Sequence, residues 1–120
     1  MVRETILVVS GKSEMVTGVI TALGCNEINT AANRAIRVVE RFIGEFGQGI
    51  PVAIVHEENP DTVSVLADRL KRVCGSTHVI VMSSRIGYPT RDADREYDAI
   101  IPYSEGALRD IVESFLDIKG

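Results

Sequence analysis

Cysteine is scarce in this sequence of 120 residues, and the two that occur, Cys25 and Cys74, lie far apart. Two isolated cysteines cannot form a disulfide framework or a zinc site, so we expect both thiols to be reduced. Long apolar runs are also missing, since none approaches the roughly 20 residues that span a bilayer. The charged pair Arg3 and Glu4 precedes a short apolar run, and no signal peptide is predicted. The composition therefore predicts a cytoplasmic protein without a membrane segment.

An excess of positive charge is missing too. The chain has 13 Lys+Arg against 17 Asp+Glu, which gives a formal net charge of −4. Nucleic-acid-binding domains usually carry a strongly basic face, so we expect no nucleic-acid partner. The hydrophobic fraction of 45% excludes a disordered chain. A chain of this length fits a single domain, which we assign to residues 1–120.

Five short segments rich in β-branched residues predict strands. Four of them are continuous apolar runs, which are typical of central strands in a parallel sheet covered on both faces. The second segment contains Asn29 and Thr30 and indicates an edge strand. The predicted strands are 6–9, 27–31, 52–55, 78–82 and 98–101.

Segments with helical periodicity lie between most of these strands. Apolar residues recur on one helical face within 15–23, 35–43, 63–73 and 108–116. Asn59 before Pro60 predicts a capped helix start, and Gly24 and Gly75 stand where glycines end helices. Alternating strands and helices predict right-handed crossovers and a parallel α/β sheet.

The segment 85–97 interrupts this alternation. Gly87 and Pro89 would break a long helix there, and residues 90–96 have no apolar stripe. We predict a loop with at most a short helical turn.

Reactive sites in open α/β sheets collect beyond the carboxyl ends of the strands. Gly11, Lys12 and Ser13 follow the first strand, but the glycine that a phosphate-binding loop needs five residues before Gly11 is replaced by Ile6. His56 has neighbouring carboxylates but no acidic partner at the first strand, so we interpret it as a solvated polar tip rather than a metal site. No nucleophile has both an orienting carboxylate and oxyanion donors. We therefore predict no enzyme, cofactor or metal.

Three arginines, Arg34, Arg37 and Arg41, share one side of the second predicted helix. They could dock an acidic partner, but Glu40 and Glu45 are interspersed, and a solvated charged face is the simpler interpretation.

Local motifs in order along the chain resemble the receiver domain of two-component response regulators. These motifs are 5–9 (TILVV), 27–33 (EINTAAN) with Ala35 and Ile36, 52–56 (VAIVH) with Pro60, 79–84 (VIVMSS), and 99–104 (AIIPYS) with Leu108. The resemblance implies a three-layer, flavodoxin-like α/β sandwich with a five-stranded parallel sheet of order 2-1-3-4-5 and a degenerate fourth helix.

The catalytic residues of the receiver family are mostly replaced in this sequence. Ser10 and Gly11 stand where receivers place two acidic Mg²⁺ ligands, and His56 stands where they place the phosphoacceptor Asp. Ile101 replaces the Lys before the fifth-strand Pro, and only the fourth-strand hydroxyl is kept, as Ser83. Mg²⁺ neutralises charge during phosphoryl transfer, so the resemblance implies a pseudo-receiver without aspartyl phosphorylation.

The opening of the chain is also similar to a small α/β protein of the central stalk in archaeal-type rotary ATPases. The similarity lies in residues 6–11 followed by 15–18. The chain lacks that family's acidic residue after the first Gly, and a four-stranded core would not explain the predicted strand 98–101. This alternative implies a stalk protein instead of a signalling module.

We expect a non-catalytic regulatory module that binds protein partners, with a sensor kinase or a second copy of the chain as candidates. In receivers, the surface around the fourth helix, fifth strand and fifth helix is the usual output face. Tyr and Arg are enriched at interface hot spots. The candidate partner surface is therefore Arg85, Tyr88, Arg91, Arg95, Tyr97 and Tyr103. The simpler alternative is that the tyrosines only cover the core beneath a long loop.

Overall fold

A computed structural model describes residues 4–10, 13–57, 59–82 and 98–116 of the chain. The strands are β1 (Thr5–Val9), β2 (Asn26–Thr30), β3 (Val52–His56), β4 (His78–Met82) and β5 (Ala99–Ile101). The helices are α1 (Glu14–Ala22), α2 (Ala35–Phe46), α3 (Pro60–Val73) and α4 (Glu105–Leu116), and a 3-10 turn (Ala32–Arg34) precedes α2. The predicted degenerate helix region 85–97 lies outside the described residues.

The five strands form one parallel sheet in the order β2-β1-β3-β4-β5. This confirms the predicted flavodoxin-like topology. β2 lies at the edge, as predicted, although it begins at Asn26, one residue before the predicted start. β5 pairs with β4 from Ala99 to Ile101, so the core has a fifth strand that a four-stranded stalk protein would not explain.

The sheet separates two apolar clusters. Leu7, Val55 and Val79 face the cluster that includes α2 and α3 residues such as Val39 and Leu70. Their neighbours in the strands face the cluster formed with α1 and α4; these are Ile6, Val8, Ile54, Ile80 and Met82. Because side chains alternate along a strand, continuous apolar runs fill both faces of a covered sheet.

The helix ends agree only in part with the sequence signals. Asn59 accepts hydrogen bonds from the backbone N–H groups of Asp61 (2.9 Å) and Thr62 (3.5 Å), as its capping position predicted. Gly24 has the expected left-handed backbone, with φ of 75°. Gly75 also follows a helix end, since α3 ends at Val73, but extended Cys74 precedes it and Gly75 does not adopt the left-handed backbone. The helix α2 ends at a left-handed glycine, Gly47 (φ 69°), which the sequence analysis did not identify as a helix end.

No helix in the described ranges is long and apolar enough to cross a membrane.

Candidate functional site: the carboxyl edge of the sheet

The chain turns sharply after β1 at Ser10. Ser10 adopts the left-handed region with φ of 59°, which is uncommon for a residue with a side chain. Its backbone N–H donates to the carbonyl of Thr30 at the end of β2 (2.9 Å). The turn leaves the Ser10 side chain exposed at the carboxyl edge. A hydroxyl therefore occupies the edge where a receiver would hold a metal-binding carboxylate.

His56 ends β3 at the same edge, paired in register with Met82 of β4. Its ring is half-buried, and its Nδ1 atom is buried without a hydrogen-bond partner among the described residues. The interpretation of His56 as a solvated tip is therefore wrong. The physical reason is a neighbouring ring that the sequence analysis did not place there.

That ring belongs to Tyr103, from the segment between β5 and α4. The ring centroids of His56 and Tyr103 lie 5.2 Å apart, with planes inclined by 30°. The Tyr103 hydroxyl is hydrogen-bonded to Oγ of Ser13, and either oxygen can donate. Ser13 is the residue before α1 and makes no capping hydrogen bond with its side chain. Tyr103 thus connects the segment after β5 with the start of α1 across His56.

The remaining candidate residues are divided between described and undescribed parts of the chain. Ile101 is 8% exposed and packs in the cluster with Leu108 and Val112. It offers neither charge nor a hydrogen bond to a phosphoryl group. The candidates that lie outside the described residues are Gly11, Ser83, Arg85, Tyr88, Arg91, Arg95 and Tyr97.

The described part of this edge supplies hydroxyl groups, an imidazole, apolar side chains and the carboxylate of Glu57 directly after β3. In the described ranges, no group of three or more His, Cys, Asp and Glu residues could hold a metal ion. Mg²⁺ prefers carboxylate oxygens, which the matching positions do not supply.

A second polar cluster, absent from the sequence analysis, lies where β4 and β5 begin. Nζ of Lys71, in the last turn of α3, lies 2.7 Å from Oδ2 of Asp98 and 2.7 Å from the carbonyl of Thr77. The same Asp98 oxygen accepts the backbone N–H of Val79 (2.7 Å). The sequence contained a signal for this cluster. Lys71 stands near the end of a predicted helix, and Asp98 stands at the start of a predicted strand.

The pKa of Asp98 reflects opposing effects. Burial raises it, but the hydrogen bonds from Lys71 and Val79, with the charges of Lys71 and His78, outweigh burial and hold the pKa below its ordinary value. The His78 ring stacks on Phe115 of α4 at 4.4 Å. This cluster joins α3, β4, β5 and α4, so its role is structural.

Comparison with known proteins agrees with this architecture. No family model and no curated protein matches the chain. Among solved structures, the chain is similar to a CheY-like protein (tadZ) of Pseudomonas aeruginosa, with a TM-score of 0.75, 8% identity, and coverage of 94% of this chain and 99% of that one. It is also similar to the N-terminal domain of an uncharacterized protein of Wolinella succinogenes (TM-score 0.69, 20% identity, 97% and 95% covered).

A third similar structure is a putative pilus assembly protein (cpaE) of Burkholderia thailandensis, with a TM-score of 0.67 and 15% identity over 96% of this chain and 99% of that one. At these identities the likeness concerns the fold alone. The chain has the fold of a CheY-like receiver domain.

Proposed function

We propose that this protein is a non-enzymatic regulatory module of the receiver type, which acts by binding protein partners and is not phosphorylated on aspartate. The observation that carries the proposal is the pair His56 and Tyr103. An imidazole occupies the strand end where receivers hold the acceptor carboxylate, and the module's own tyrosine covers it.

Phosphoryl transfer to aspartate requires a carboxylate nucleophile and a divalent cation that neutralises the developing charge. Ser10, His56 and Ile101 provide neither. The Ser13–Tyr103 hydrogen bond supports the proposal further, because it holds the Tyr103 side chain between the segment after β5 and the start of α1, beside His56.

The solved structures of similar fold include proteins named for pilus assembly. These proteins combine a receiver-like fold with a name that refers to pilus assembly, and in that respect they support a protein-binding role. For this chain we propose a protein partner from one of three classes: a sensor kinase, a component of such an assembly, or a second copy.

Exposure to acetyl phosphate and Mg²⁺ tests the missing phosphorylation. We expect the intact mass, measured under conditions that preserve acyl phosphates, to stay unchanged, while a receiver with an acceptor Asp gains one phosphoryl group in parallel. A phosphoryl group mapped to an aspartate at the carboxyl edge would contradict the proposal.

Affinity purification of the tagged chain from its native cell tests the partner class. Recovery of a kinase, an assembly protein or a second copy supports the proposal. Recovery of rotary ATPase components would contradict it and favour the stalk-protein alternative.

A further inference from the structure

A groove of about 720 Å³ runs between the edge strand β2 and the outer flank of α2. Ile28 of β2 forms part of one wall, and one stripe of α2 together with the turn before it forms the other. The groove lies away from the carboxyl edge described above and shares no residue with it.

The helical wall alternates cationic and apolar side chains. Arg34, Arg37 and Arg41 follow the i, i+3, i+7 spacing that places residues on one side of a helix. Phe42 and Phe46 lie on the same stripe, with ring centroids 4.6 Å apart. The Phe46 side chain is 61% exposed, a large apolar surface left to solvent.

The three arginines are not neutralised within the described part of the chain. None has a carboxylate within ion-pair distance there, although Glu45 follows Arg41 by one helical turn and also lines the groove. All three arginines are exposed, in agreement with the predicted solvated charged face. Three unpaired guanidinium groups beside two phenylalanines, on a protein of net charge −4, form a local surface of opposite sign.

We infer that the groove binds an acidic segment of a partner protein, one that combines carboxylates with an aromatic or aliphatic side chain. A guanidinium group binds a carboxylate through two parallel hydrogen bonds, and the three arginines place three such groups along the groove. Phe46 supplies the apolar contact beside them. Glu45 and the negative net charge oppose an extended polyanion or an anionic membrane. The inference rests on the proposed protein-binding role and names the chemistry of the partner.

The experiment begins with a phage library of random linear peptides selected on the full chain. We expect the enriched peptides to be acidic and to contain an aromatic or aliphatic residue. One such peptide, labelled with fluorescein, is then titrated with each variant by anisotropy at low and high sodium chloride.

The double variant R37E/R41E should bind this peptide at least about tenfold more weakly, because it replaces two of the three guanidinium groups with carboxylates that repel an acidic peptide. F46A should weaken binding at both salt concentrations. The matched control R69E/R109E changes the same charge at two exposed helical arginines outside the groove and should bind like the wild type. All five substituted residues are exposed, so thermal unfolding should stay within the wild-type range.

Selection of basic or neutral peptides, or equal loss in R37E/R41E and R69E/R109E, would overturn the inference. So would co-sedimentation with phosphatidylserine vesicles, or self-association, that R37E/R41E abolishes while peptide binding persists. These failures leave the phosphorylation test untouched, so a failed groove and a failed proposed function are distinguishable.

Discussion

Tyr103 covers His56 at the carboxyl edge of the sheet, with 5.2 Å between the two ring centroids. The two residues are 47 positions apart in sequence. They meet because β3 ends, and the segment after β5 begins, at the same edge of the sheet. The contact places the Tyr103 ring beside the half-buried imidazole of His56.

Removing the cover should expose the imidazole. In Tyr103→Ala, we expect carbethoxylation of His56 by diethyl pyrocarbonate to accelerate several-fold, while modification of His78, which stacks on Phe115, keeps its wild-type rate. Folding should lose about 1 kcal/mol or less, because Tyr103 is 43% exposed. Peptide mass mapping over time gives both rates. Equal acceleration at the two histidines would indicate general loosening and contradict the role of Tyr103 as a cover.

The ion pair between Lys71 and Asp98 should make stability depend on pH. Because the pKa of Asp98 is lower in the folded than in the unfolded chain, its contribution is full above the ordinary carboxyl range and is lost as pH falls through the folded pKa. Asp98→Asn should therefore cost about 1–2 kcal/mol at neutral pH and progressively less in acid.

Urea unfolding of wild type and Asp98→Asn across acid and neutral pH checks this prediction. Asp110→Asn is the matched control, since Asp110 is exposed on α4 and has no ion pair in the described ranges. If the difference in unfolding free energy between wild type and Asp98→Asn did not change with pH, the result would contradict the predicted link between the Asp98 pKa and stability.

Gly49 permits a close approach of backbone to Cys74. A Cβ atom at position 49 would overlap Sγ of Cys74, so Gly49→Ala should destabilise the fold by about 1–3 kcal/mol through overpacking. Cys74→Ala removes the overlapping atom, and the double variant should be more stable than the sum of the single changes predicts. Chemical denaturation of the four proteins measures the coupling, and strict additivity would show that the overlap is not the cause.

Thr77 stabilises the loop before β3 from within the core. Its hydroxyl donates to the carbonyl of Ile50 at 2.6 Å, and the residue is 1% exposed. Thr77→Val keeps the shape but removes the donor, which should cost about 1–2 kcal/mol. Thr21→Val, at an exposed position of α1, is the control. Equal thermal midpoints for the two variants would argue against a structural role for this bond.

The parallel α/β class could be predicted from local patterns in the sequence, whereas the strand order came from the resemblance to receiver domains. Continuous apolar runs such as 52–55 and the helical stripes between them determine which segments form the sheet and which cover it. The His56–Tyr103 contact and the Lys71–Asp98 ion pair could not be predicted, because each joins side chains far apart in sequence, whose distance depends on how the strands end. The groove could be predicted in part: the spacing of Arg34, Arg37 and Arg41 placed them together, but only the structure shows that they form no ion pair, with Glu45 or with another carboxylate, among the described residues.

The division of the interior by the sheet has a consequence for protein engineering. Val39 and Val112 are both fully buried, yet they belong to clusters on opposite faces and share no neighbour within them. Losses of stability from truncating each to alanine should therefore add. A library that varies the residues beneath α2 to reshape the groove then needs no compensating changes beneath α4, and binding specificity can be altered without redesigning the opposite half of the protein.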